Sequence, residues 1–138
     1  MGAFSSFQTA VDTALVGEPT VTALVSTRIF DDVPHESDPV STVFPRITIG
    51  DQTGEEAGTS DSDLTRIELT LHVWSRAAGR KECLDIMHAT VKALHKRTHL
   101  VSQGVIVDLL YASHETAKEA DGETYHGAIR FSGLLQYS

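Results

Sequence analysis

Seven histidines and one cysteine are the side chains best suited to chemistry in this chain of 138 residues. His88, His95 and His99 are spaced by seven and four, intervals that return to one side of a helix. Three imidazoles on one face are a zinc-binding pattern. His99, however, falls near or beyond the end of the helix that would carry them, and no carboxylate stands at a matching spacing. No metal site is assigned. Cys83 paired with a histidine would make a nucleophile. Its place on the apolar stripe of a helix marks it instead as a small core residue. Asp31–Asp32 and Glu55–Glu56 are adjacent carboxylates, but a catalytic acid needs burial to raise its pKa, and both pairs sit in polar stretches. The chain holds no P-loop, dinucleotide-binding glycine pattern, serine elbow or zinc-protease motif. The expectation is a protein with no catalytic residue, no metal and no cofactor.

The elements that must position these residues fit one domain over 1–138. Apolar residues are 41% and charged residues 22%, a globular composition. A single cysteine excludes an internal disulfide and a zinc site built on cysteine pairs. Met1 to Gln8 has no basic stretch followed by an apolar run, so no secretory signal is expected, and no run of 18 apolar residues is present. The net charge is −8, the wrong sign for a protein that grips phosphates. Residues 1–63 hold 2 basic and 11 acidic side chains, whereas residues 64–138 hold 9 basic and 8 acidic. Such asymmetry guides association between unlike faces, or simply keeps an acidic surface solvated.

Phe4, Phe7, Val11, Ala14 and Leu15 recur at three and four, which predicts a helix over Phe4–Val16 ended by Gly17. Pro19 opens a second helical turn through Val25, giving a small hairpin. Residues 28–34 read as a short strand or extended arm, residues 34–43 as a loop, and Phe44–Gly50 as a strand. Residues 51–63 contain five acids (Asp51, Glu55, Glu56, Asp61, Asp63), two glycines and no large apolar side chain, and read as a long mobile loop. Arg66–Trp74 is the clearest strand, with Ile67, Leu69, Leu71 and Val73 on one face and Arg66, Glu68, Thr70, His72 and Trp74 on the wetter one. The main helix runs roughly from Gly79 to Arg97, with Leu84, Met87, Val91 and Leu94 buried and Arg80, Lys81, Lys92, Lys96 and Arg97 exposed. Val105–Ser113 and Thr124–Tyr137 are two more strands around an Asp121–Gly122 turn. The expected fold is α+β: a mostly antiparallel sheet of four to five strands, with an N-terminal helical hairpin and one long helix packed on one side.

Residues 28–34 (RIFDDVP), Phe44–Pro45, residues 71–76 (LHVWSR) with Gly79, and residues 121–127 (DGETYHG) before Arg130–Phe131 resemble, in order and spacing, the tail-completion family of long-tailed phages, prophages and gene transfer agents. The resemblance implies a non-catalytic virion protein of the tail or neck, assembled in the bacterial cytoplasm. It implies a ring, commonly a hexamer, that ends the tail tube and offers a surface to the head connector. The implied partners are copies of itself, the tube protein, and the head connector or adaptor, with DNA passing through the lumen unbound and no membrane. Arg28, Asp31, Asp32, Trp74, Arg80, Lys81, Lys92 and Lys96 are then candidate subunit-interface residues. Asp51, Glu55, Glu56, Asp61 and Asp63 are candidates to face the lumen or the tube, since an acidic lining repels phosphates.

Two other readings fit the sequence. One is a head-side connector or neck protein of the same kind of particle. The other is a small ligand-binding or enzymatic dimer, which would need a pocket of converging polar groups with perturbed pKa values.

Overall fold

The computed structural model describes residues 2–31, 43–59, 63–101 and 104–137. Among them are helices α1 (Ala3–Val16), α2 (Pro19–Val25) and α3 (Lys81–Leu94) and strands β1 (Ile29–Phe30), β2 (Arg46–Glu56), β3 (Asp63–Ser75), β4 (Arg97–Val101), β5 (Gly104–Lys118) and β6 (Tyr125–Tyr137). The strands form one sheet in the order β1-β2-β3-β6-β5-β4. Only β1 and β2 are parallel; every other pairing is antiparallel. This is the α+β plan expected from the sequence, with the helical hairpin and α3 on one face of the sheet.

The period of two in β3 sends Ile67, Leu69, Leu71 and Val73 inward, each no more than 1% exposed. Ile47, Ile129, Phe131 and Leu135 extend this apolar layer across the sheet. Phe7, Val11 and Leu15 of α1, Val21 and Val25 of α2, and Cys83, Ile86, Met87, Ala93 and Leu94 of α3 cover it. Burial of this kind contributes about 25 cal/mol per Å² of apolar surface, so the core rather than helix propensity holds the helices in place. The stripe of α3 is rotated from the one expected: Leu84 is 41% exposed, and Ile86, Ala89 and Thr90 are buried instead. Thr90 satisfies its hydroxyl by donating to the Ile86 carbonyl at 2.8 Å.

β5 runs on to Lys118, beyond the Ser113 expected, and two other boundaries differ more. The helix ends at Leu94, not Arg97, because His95 is extended (ψ 131°) and Lys96 is left-handed (φ 58°). The Lys96 N–H donates to the Leu109 carbonyl at 2.8 Å, and Arg97–Val101 then pairs with β5. The acidic stretch expected as a loop over 51–63 is mostly strand. Residues 52–56 pair with residues 65–69, and Asp63 pairs with Tyr137 of β6. Polar composition misleads here because β2 is nearly an edge strand; its outer half lies in water, and backbone pairing alone keeps it extended. Asp32 and Asp61 lie outside the described residues.

Candidate assembly surfaces

The sheet face opposite the helices carries Arg66, Glu68, Thr70, His72 and Trp74 from β3. Strand register sets Arg46 of β2 and His126 of β6 on either side of Trp74. The result is a stack. The Arg76 guanidinium lies 4.5 Å from the Phe44 ring centroid, and that of Arg46 lies 4.3 Å from Phe44 and 5.2 Å from Trp74. Trp74 stacks on His126 at 4.0 Å, and His126 on His72 at 4.9 Å. The Trp74 indole N–H donates to Thr48 Oγ1 at 3.0 Å, which fixes the ring.

Arg46 is 6% exposed and makes no ion pair with a described carboxylate; its Nη1 donates to the Val43 carbonyl at 3.4 Å, and its Nε has no partner. Burial, then the nearby Arg76, pushes its pKa down. An unpaired buried cation costs several kcal/mol. Two aromatic faces offset part of that, at about 2 kcal/mol each when desolvated.

His72 Nδ1 and His126 Nε2 are 2.7 Å apart, and His126 Nδ1 lies 3.1 Å from Glu119 Oε1. Burial, then His126, pushes the His72 pKa down; Arg130 acts the same way and Asp51 opposes it. This imidazole–imidazole–carboxylate chain has no thiol beside it. Cys83 is fully buried on the other side of the sheet, with its Sγ 4.0 Å from the Val73 carbonyl and 3.9 Å from Met87 Sδ. Burial pushes its thiol up to about 11. The chemistry on offer is therefore a rigid stacking platform with its rings locked by hydrogen bonds. No group of three His, Cys, Asp or Glu among the described residues is placed to hold a metal.

The expected interface residues do not form one patch. Arg28 is half-buried and donates from Nε to the Pro45 carbonyl at 2.7 Å. Asp31 accepts from Gln8 Nε2 at 2.6 Å, which ties the end of β1 to α1. Lys81 pairs with Asp85 at 2.6 Å, and Lys92 lies 3.9 Å from Glu18. Arg80 sits at the start of α3 with its guanidinium 5.4 Å from the Tyr125 ring, and Lys118 approaches the same ring to 5.7 Å. Lys96 is exposed.

The acidic set is divided too. Asp51 acts on His72 across the open face. Glu55 pairs with Arg66 at 2.9 Å, the two side chains 70% and 55% exposed. Glu56 accepts from the Gly58 N–H at 2.9 Å, and Asp63 opens β3 in an exposed position. Glu55, Glu56 and Asp63 thus occupy the far end of the β2–β3 pair.

The near end, where β3 and β5 finish and β6 begins, brings Arg76, Arg80 and Lys118 together with Glu119, Asp121 and Glu123. A cavity of about 600 Å³ opens there between residues 76–79 and the 118–125 turn, lined by Arg76, Lys118, Glu123 and Tyr125 among others. Asp121 builds the turn: it accepts the N–H groups of Glu123 and Thr124 and the Thr124 hydroxyl, which hold its carboxyl down at about 2. The stack and this cavity were not assigned from sequence. Their signal was the His72/Trp74 alternation and the aromatic–cation content of the Phe44, Arg76 and Tyr125 segments, but only register brings those segments together.

The family profile described as Tail completion protein gp17 matches residues 9–136. A chain of the virion of the native gene transfer agent particle has a similar structure, with a TM-score of 0.88, 19% identity, and 98% of each chain covered. The gp17 protein of bacteriophage SPP1 is also similar, with a TM-score of 0.55, 24% identity, and 98% of this chain and 92% of that one covered. At those identities the two structures establish a common fold. No curated protein matches in sequence.

Proposed function

We propose, because this chain belongs to the tail completion protein gp17 family, that it is a structural subunit closing the end of the tail tube of a phage-like particle. It assembles as a ring, of six copies, on the last layer of the tube. The ring stops tube growth and presents its other side to the head connector, while DNA passes through the lumen without being held.

The observation that carries this reading is the family match across nearly the whole chain. Physical features agree with it. A ring needs a heterologous interface, in which one surface of a subunit meets a different surface of the next. Glu55, Glu56 and Asp63 gather at one end of this sheet and Arg76, Arg80 and Lys118 at the other, there among acids of the 118–125 turn, and a net charge of −8 suits a conduit that must not retain phosphates. Among the charged interface candidates, Arg80 and Lys96 make neither an ion pair nor a side-chain hydrogen bond that ties them within the described chain, whereas Arg28 and Asp31 are held by Pro45 and Gln8.

The test is deletion of the gene from a particle-producing strain, followed by electron microscopy. Tails of uncontrolled length, or finished heads and tails left unjoined, are expected, with rescue by the wild-type chain. Normal particles would sink the reading. Tails of normal length beside heads that have lost their neck would move the protein to the head side of the joint.

A further inference from the structure

The near-end cavity gathers cations from separate parts of the chain. Arg76, Arg80 and Lys118 come from three places in the chain: the end of β3, the start of α3 and the end of β5. Arg80 and Lys118 both approach Tyr125, at 5.4 Å and 5.7 Å from its centroid. Neither makes an ion pair with a described carboxylate. Arg76 lies 3.8 Å from Asp121, whose carboxylate is already occupied by three turn donors. The cavity lining thus holds two cations, Arg76 and Lys118, and one acid, Glu123, and Arg80 directly follows the lining Gly79. Arg76 also donates from Nε to Thr124 Oγ1 at 3.1 Å, whereas the Arg80 guanidinium over Tyr125 keeps its N–H edges for carboxylates, to which they are matched.

The complementary surface lies on the same molecule, where it cannot be reached. Glu55, Glu56 and Asp63 stand at the other end of β3, a 13-residue strand of about 40 Å. Glu55 is committed only to an exposed pair with Arg66, a kind of contact worth little. A cationic cavity and an acidic strand end, at opposite ends of one rigid sheet, are a head-to-tail arrangement.

The geometry points to a specific contact between copies of this chain: the acidic end of β2–β3 (Glu55, Glu56, Asp63) inserts at the neighbour's cavity lined by Arg76, Lys118 and Tyr125, with Arg80 beside it over the same tyrosine. This rests on the ring reading above and deepens it. It assigns these three acids to a subunit contact in place of the lumen or tube contact expected from the family resemblance.

The test is charge exchange, read by light scattering and sedimentation in low and moderate salt, with circular dichroism confirming that each variant is folded. R80E/K118E and E55K/E56K each place like charges at the contact, and each should weaken self-association by at least about tenfold. An equimolar mixture of the two variants alternates matched contacts around a ring and should reassemble, as should a single chain carrying all four changes. Wild-type assembly should loosen as salt rises. Variants that assemble as wild type does would overturn this contact while leaving the ring reading intact. Weakened variants that fail to reassemble when mixed would overturn the pairing of these two surfaces. A wild-type chain that stays monomeric at every concentration, alone and with the tube protein, would overturn both the contact and the ring.

Discussion

The Trp74 and His126 rings lie face to face on adjacent strands, 4.0 Å between centroids and 5° between planes. Cross-strand aromatic pairs contribute about 0.5–1.5 kcal/mol beyond the area they bury. Here Trp74 also donates to Thr48 and covers the buried Arg46 guanidinium. Removing it leaves that cation with one aromatic face.

Trp74→Ala should therefore destabilise the fold by about 2–4 kcal/mol, more than the pair alone, and lower the thermal midpoint by several degrees. Trp74→Phe keeps a ring and loses the indole donor, so it should cost less. Urea unfolding of both variants checks this, and a Trp74→Ala midpoint equal to wild type would show that the stack is ornamental to stability.

Arg46 offers a sharper version of the same argument. Arg46→Met removes a buried cation while keeping the stem that packs between Phe44 and Trp74. Because the charge has no described carboxylate to pair with, the substitution should be neutral or stabilising for the isolated chain. A loss of more than about 2 kcal/mol in a denaturation experiment would mean that the guanidinium hydrogen bond to Val43 matters more than the burial of the charge.

Stability should depend on pH through His72. Its folded pKa lies below the ordinary histidine value, so the folded state disfavours the proton. The unfolded state then binds more protons in acid. The contribution is fully present above the unfolded pKa, near about 6.5, and is lost as pH falls through the folded value. The groups acting on His72 are His126 and Arg130, which oppose its charging, and Asp51, which favours it. Urea midpoints at pH 7.5 and 5 should differ in that sense, and His72→Gln should flatten the difference. An unchanged slope in the variant would exclude His72 as its source.

Gly127 sits against α3 with no room for a side chain. A Cβ there would meet both terminal atoms of Met87, with Cε at 2.9 Å, and Cys83 Sγ at 3.1 Å. Gly127→Ala should cost about 1–3 kcal/mol by overpacking. Combined with Met87→Ala, it should cost less than the sum of the two single changes, because the new methyl fills part of the vacated space. A calorimetric double-mutant cycle with strict additivity would refute the contact.

Cys83 should behave as a core atom. It is fully buried and its thiol is pushed up to about 11. A thiol reagent at pH 8 should label the native protein only at the rate of unfolding and label it fully in urea. Rapid native labelling would reopen the nucleophile reading.

Much of this was legible in the amino-acid order because it depends on local periodicity. Alternation over Ile67–Val73 specified a half-buried strand whose outer face held His72 and Trp74. The four-residue spacing of Phe7, Val11 and Leu15 specified an amphipathic helix, and Gly17 and Pro19 the break after it. The ordered motifs also pointed to the family that the profile match establishes. Composition alone misled at 51–56, since acids and glycines read as loop while the backbone ladder of an edge strand accepts them.

What tertiary structure alone decided are relations between strands. Nothing local specifies that Arg46, Trp74 and His126 fall in one row, because antiparallel register depends on pairing between segments far apart in the chain. The same holds for Arg80 and Lys118 converging on Tyr125, and for Lys81 and Lys92 being taken up by Asp85 and Glu18. Sequence determined which side chains carry charge and which face of each element is apolar; packing decided which charges remain to meet a neighbour, because an ion pair and a stack depend on distance in space.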